Sequence, residues 1–159
     1  MFILSFGEDG PETDVISSRS RSFIRMAIGF DPETEISYFL TTAIDFVQSL
    51  NAHELSFWLS AEHSNGFEET LWDGSETRFI RRPDRGLIWQ AILLGLRVLV
   101  TWIGPERVLM LTMREHLPDR AVQKYLQINR VFVELGYSVT DCNPRHGSRC
   151  WLMERPELV

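Results

Sequence analysis

The sequence predicts an α/β domain in which a mixed sheet is covered by helices on both faces. Three observations carry this reading. Leu87 to Ile103 is an apolar stretch of helical length, Val108 to Met113 is a continuous apolar run of strand length, and strand-like and helix-like segments are interspersed without a repeat or low-complexity linker. At 159 residues and 44% hydrophobic composition the chain suits one domain, 1–159, with a sizeable core.

Met1 to Phe6 has no basic region ahead of its apolar residues and reads as a first strand rather than a secretion signal, so a cytoplasmic protein is expected. Gly7 to Ser22 is polar, acidic and Ser-rich, and residues 8–22 are expected to form a flexible loop. Asp31-Pro32-Glu33-Thr34-Glu35 carries the signals of a helix start, and Ile36, Phe39, Leu40, Ala43, Val47 and Leu50 fall on one stripe, predicting a helix to Leu50. Leu55 to Ser60 alternates as a strand does, turns at His63-Ser64-Asn65-Gly66 and continues as a strand pair through Glu68 to Leu71.

Residues 72–103 then read as strand, loop and helix. Thr77, Phe79 and Ile80 predict the strand, bounded by Asp73-Gly74 and Pro83, and Asp84 is the expected N-cap of the helix. That helix is apolar almost all round, so cover on several sides is expected. A membrane span is not, because Leu87 to Ile103 is short for a bilayer and Arg97 near its middle would cost about 2.5–3.5 kcal/mol there. Gly104-Pro105 stops the helix, and Val108 to Met113 follows as an interior strand covered on both faces. Pro118 to Leu135 is the last helix, stopped by Gly136, and Tyr137 to Thr140 pairs with Cys150 to Met153 as a hairpin.

Charge divides the chain. Residues 1–74 hold three Arg against thirteen acids, a balance of −10, whereas residues 75–159 hold thirteen basic residues against nine acids, a balance of +4. An acidic half repels phosphate, which argues against a nucleic-acid partner while leaving room for a local anion site in the second half. Of the 16 basic residues only Lys124 is lysine. Arginine suits bidentate anion recognition, but an excess spread along the chain also fits a general codon preference.

From Trp72 onward the chain resembles the second half of the GCN5-related N-acetyltransferase (GNAT) fold, in particular its acyl-homoserine-lactone, or autoinducer, synthase branch. Trp72-Asp73-Gly74 with Arg78-Phe79 is similar to a W-E-x-x-R-F strand, Leu111-Thr112 to an apolar strand ending in Thr, and Phe132 to Tyr137 to a helix closing on Gly and an aromatic residue. Upstream, Arg21-Ser22-Phe23 and Phe30-Asp31 are similar to R-x-F and W-D elements of the same branch.

The resemblance implies an acyltransferase without a tightly bound cofactor, moving an acyl group from a thioester donor, acyl-carrier protein or acyl-coenzyme A, to a small amine. The usual Q/R-x-x-G-x-G/A pyrophosphate loop is replaced by Arg81-Arg82-Pro83-Asp84-Arg85-Gly86, and Phe132 stands where a general-acid Tyr is common. A carrier-protein donor depends less on that loop. Glu76 is the expected base, and an exposed Glu paired with a neighbouring Arg is its plainer reading. Arg78, Arg81, Arg82 and Arg85 are expected to meet a substrate carboxylate, a carrier phosphate or an acidic carrier surface, and Trp72, Trp89 and Thr112 to line the substrate site. Cys142, His146 and Cys150 have no common zinc spacing; a turn at His146 sets the cysteines opposite each other as a thiol pair or a disulfide. The alternative function is a non-catalytic acidic binding protein of inhibitor or immunity type, meeting a basic partner through the first half of the chain.

Overall fold

The computed structural model describes residues 1–71, 76–112, 118–142 and 148–156. Strands β1 (Ile3–Leu4), β2 (Val15–Ser17), β3 (Arg21–Asp31), β4 (Ile36–Val47), β5 (Ala52–Glu62) and β6 (Glu68–Leu71) precede helix α1 (Arg82–Ile103). Strand β7 (Arg107–Leu111), helix α2 (Asp119–Glu134) and the hairpin β8 (Ser138–Cys142) and β9 (Cys150–Glu154) follow. The sheet runs β1-β3-β4-β5-β7-β9-β8, with β2 joined to β3 and β6 to β5. This is a mixed α/β architecture, antiparallel except where β5 meets β7.

The predicted helix from Asp31 to Leu50 is instead the turn and second arm of the β3–β4 hairpin, ended by a short 3-10 turn at Gln48–Leu50. Its helix-start signal serves the turn: Asp31 Oδ1 accepts a hydrogen bond from the Glu33 amide at 3.0 Å, and Glu35 adopts a left-handed φ of 54°. Beyond it, Ile36, Tyr38, Phe39, Thr41, Thr42, Ile44, Phe46 and Val47 are the β-branched and aromatic residues that a pleated surface favours. Residues 8–22, expected as a loop, include β2 paired with β3.

The predicted strand at Thr77 to Ile80 is a turn, closed by the Ile80 amide on the Thr77 carbonyl at 3.1 Å. Arg85 holds that turn, donating to the carbonyls of Ile80 at 2.9 Å and Thr77 at 3.0 Å. Helix α1 starts earlier than predicted, with Arg81 rather than Asp84 as its N-cap. Asp84 lies buried in the first turn and accepts from Arg81 Nε at 3.0 Å.

Both helices lie on one face of the sheet, not on both. Ile24, Met26, Tyr38, Leu40, Ile44, Leu55, Val108, Met110, Trp151 and Met153 share that face by register and join buried residues of α1 and α2 in a single cluster. Strand β7 is therefore covered on one side: Val108 and Met110 are buried, whereas Leu111 is 42% exposed. Helix α1 is long and apolar enough to cross a membrane, and it packs here on the sheet through Ile88, Ala91, Ile92, Leu96, Leu99 and Val100, leaving Trp102 69% exposed. Gly136, with φ of 88°, ends α2 as its position predicts.

Candidate functional site

Strand β4 pairs with every residue of β5, so β6 and β7 must share the opposite edge. Strand β6 takes Leu59 to Glu62, and β7 takes only His53 and Glu54 before the parallel strands part. Leu55 to Trp58 therefore have no strand partner on that edge among the described residues. Their alternate N–H and C=O groups face a gap that β7, tied to β9 up to Leu111, does not fill.

A cavity of about 380 Å3 occupies this region. Phe57, Trp58 and Leu59 line it from β5, Ile88, Trp89 and Ile92 from α1, and Lys124 and Tyr125 from α2, with Thr77, Ile80 and Arg85 at the turn before α1. Consecutive strand residues point to opposite faces, so the presence of both Phe57 and Trp58 means that the cavity reaches past the strand edge. The wall is aromatic. Phe57 meets Trp89 and Tyr125 at ring separations of 6.2 Å, and Tyr125 stacks on Trp151 at 5.6 Å.

The polar groups are few and their charge is one-sided. Lys124 Nζ lies 5.2 Å from the centre of the Trp89 ring, and the Arg85 guanidinium is engaged by the two turn carbonyls. Burial pushes the Tyr125 hydroxyl above its ordinary pKa and keeps it protonated. No carboxylate lines the cavity among the described residues.

Of the residues singled out in the sequence, Trp89 and Arg85 reach the cavity. Glu76 is exposed and immediately precedes Thr77, which lines it. Arg78 and Arg82 are exposed and Arg81 is paired with Asp84; none of the three lines the cavity. Thr112 is buried and bound to the residue before β9: its amide donates to the Arg149 carbonyl, and its Oγ1 accepts from the Arg149 amide, both at 2.9 Å. Trp72 lies outside the described residues, as does His146. The strands that part are β5 and β7, and the segment at Phe79, predicted as a strand, is a turn that takes no part in the opening.

Phe57, Trp58, Lys124 and Tyr125 were not singled out. The adjacent aromatics Phe57 and Trp58 in an alternating strand are the signal available in the sequence, and Tyr125 falls within the predicted last helix. Among the described residues no group of three or more His, Cys, Asp or Glu side chains is arranged to hold a metal. Comparison with protein families, curated proteins and solved structures found no match.

Proposed function

We propose that this chain is an acyltransferase of GNAT-like fold that moves an acyl group from a thioester donor, acyl-carrier protein or acyl-coenzyme A, to a small amine. The observation that carries the proposal is the parting of β5 from β7, with an apolar cavity at the opening. An extended, amide-bearing thioester arm matches the backbone groups of Leu55 to Trp58 that face away from β4 and have no strand partner among the described residues, as any strand-like ligand matches an open sheet edge. The acyl chain matches the aromatic wall of Phe57, Trp89 and Tyr125.

In this reading the amine loses a proton to Glu76 and its nitrogen attacks the thioester carbonyl, which a backbone N–H polarises. The carbon–sulfur bond then breaks and the thiolate leaves with a proton from solvent. Glu76 is the base because it adjoins the lining residue Thr77 and no carboxylate lies within the lining among the described residues. Thermal shifts with acyl-coenzyme A and acyl-carrier protein, together with amide formation measured on an amine panel, test the proposal. Binding and turnover are expected with at least one donor class, and Glu76→Gln is expected to slow turnover by about 100-fold or more while retaining the thermal shift with that donor. No shift with either donor would remove the proposal.

A second reading, a non-catalytic acidic binding protein on the same scaffold, is favoured by a cavity lining without acids among the described residues and by the acidic first half of the chain. Charge reversal at Glu8, Asp9, Glu12 and Asp14 abolishes capture of a basic partner in that reading and leaves acyl transfer intact in the first.

A further inference from the structure

We propose that Cys142 and Cys150 form a reversible intramolecular disulfide, a thiol-modification site that pins the β8–β9 hairpin beside the end of β7. The two are direct register partners in the antiparallel pair, and Cys150 is also the partner of Leu111, the last residue of β7. Directly opposed residues in such a pair have Cα atoms about 4.5–5.5 Å apart. That lies inside the span of about 4.4–6.8 Å that a disulfide bridges without moving the backbone.

Both thiols are free and half-buried, Cys142 Sγ donates to the Thr140 carbonyl at 3.9 Å, and the neighbouring Cys142 thiol adds to burial in raising that of Cys150. The chain has 2 cysteines, so neither has another intramolecular partner. The site is also tied to its surroundings. Arg149, immediately before Cys150, exchanges two hydrogen bonds with Thr112, so a bond at this point joins β8 to a segment already fastened to β7.

The oxidant is a small-molecule disulfide such as oxidised glutathione. Burial raises the Cys150 thiol to about 11, which makes it a poor first nucleophile. Cys142 therefore attacks first, forming a mixed disulfide and expelling one glutathione thiolate. Cys150 then loses its proton to solvent and attacks the Cys142 sulfur, expelling the second. The protein gives up two electrons and two protons, and one glutathione disulfide becomes two thiols. This site does not depend on the acyl-transfer reading.

The test incubates the full chain with excess oxidised glutathione, blocks remaining thiols with N-ethylmaleimide and measures the intact mass. The expected product is a monomer lighter by two hydrogens that carries no maleimide and no glutathione, and whose melting temperature is higher by roughly 5 °C. Cys150→Ser is expected to trap glutathione on Cys142, whereas Cys142→Ser reacts at least tenfold more slowly. Wild-type protein that keeps two maleimides, retains glutathione or forms only linked dimers would overturn the proposal.

Discussion

Beneath α1, Thr42 is fully buried and its Oγ1 has no hydrogen-bond partner among the described residues. A buried hydroxyl without a partner carries its full desolvation cost, and Val has nearly the same shape without the polar atom. Thr42→Val is therefore expected to raise stability by about 1 kcal/mol, read as a melting temperature higher by roughly 2–4 °C. A lower melting temperature would show that the hydroxyl is satisfied in solution. Arg85 teaches the complementary lesson: an arginine that reads as an anion ligand in the sequence spends its guanidinium on the carbonyls of Thr77 and Ile80. Lys124, the single lysine, is instead the cation that lies over Trp89 at the cavity.

At the scale of elements, α1 approaches the sheet closely at Gly95, where an added Cβ would lie 3.1 Å from Met26 Cε and 3.6 Å from Thr42 Oγ1. The Met26 methyl is the end of a flexible side chain and can yield to one carbon, while Ala favours the helix by about 1 kcal/mol over Gly. Gly95→Ala is expected to leave the urea midpoint unchanged or higher, and Gly95→Ile to lower it by an amount equivalent to about 1–3 kcal/mol. The same elements show what was legible in the sequence. Helices α1 and α2, strand β7, the β5–β6 pair and the β8–β9 hairpin each carry a local signal: an apolar run, a stripe, an alternation or a stop. Strand β4 does not, because burial of Leu40, Thr41, Thr42, Ala43 and Ile44 in succession erases the period of two, and the four-residue turn before it, Pro32 to Glu35, imitates a helix start. The cavity was half legible for a related reason. Trp89 was visible on the central helix, but the roles of Phe57 and Tyr125 arise only when β5 parts from β7 and α2 closes over the opening, contacts that no local pattern records.

Across the whole molecule, all 3 tyrosines lie where burial is the first cause of a raised pKa: Tyr38 beside Phe79, Tyr125 in the cavity and Tyr137, whose hydroxyl donates to the Pro105 carbonyl at 2.6 Å. A value raised by folding means that the folded state holds its protons more tightly than the unfolded state. The neutral tyrosines therefore cost nothing below about pH 10, the unfolded value, and stability declines as pH rises beyond it. Absorbance at 295 nm should show little tyrosinate in the folded protein at pH 10 and a rise on adding urea at the same pH. Half-ionised tyrosine before unfolding would contradict this.

The opening between β5 and β7 is tested most directly by an NMR titration of the full chain with an acyl-pantetheine thioester, following backbone amides and the Trp89 indole. Shifts concentrated at Leu55 to Trp58 and at Trp89, saturating together, are the predicted result. An unchanged spectrum, or shifts confined to the acidic segment from Glu8 to Asp14, would contradict it.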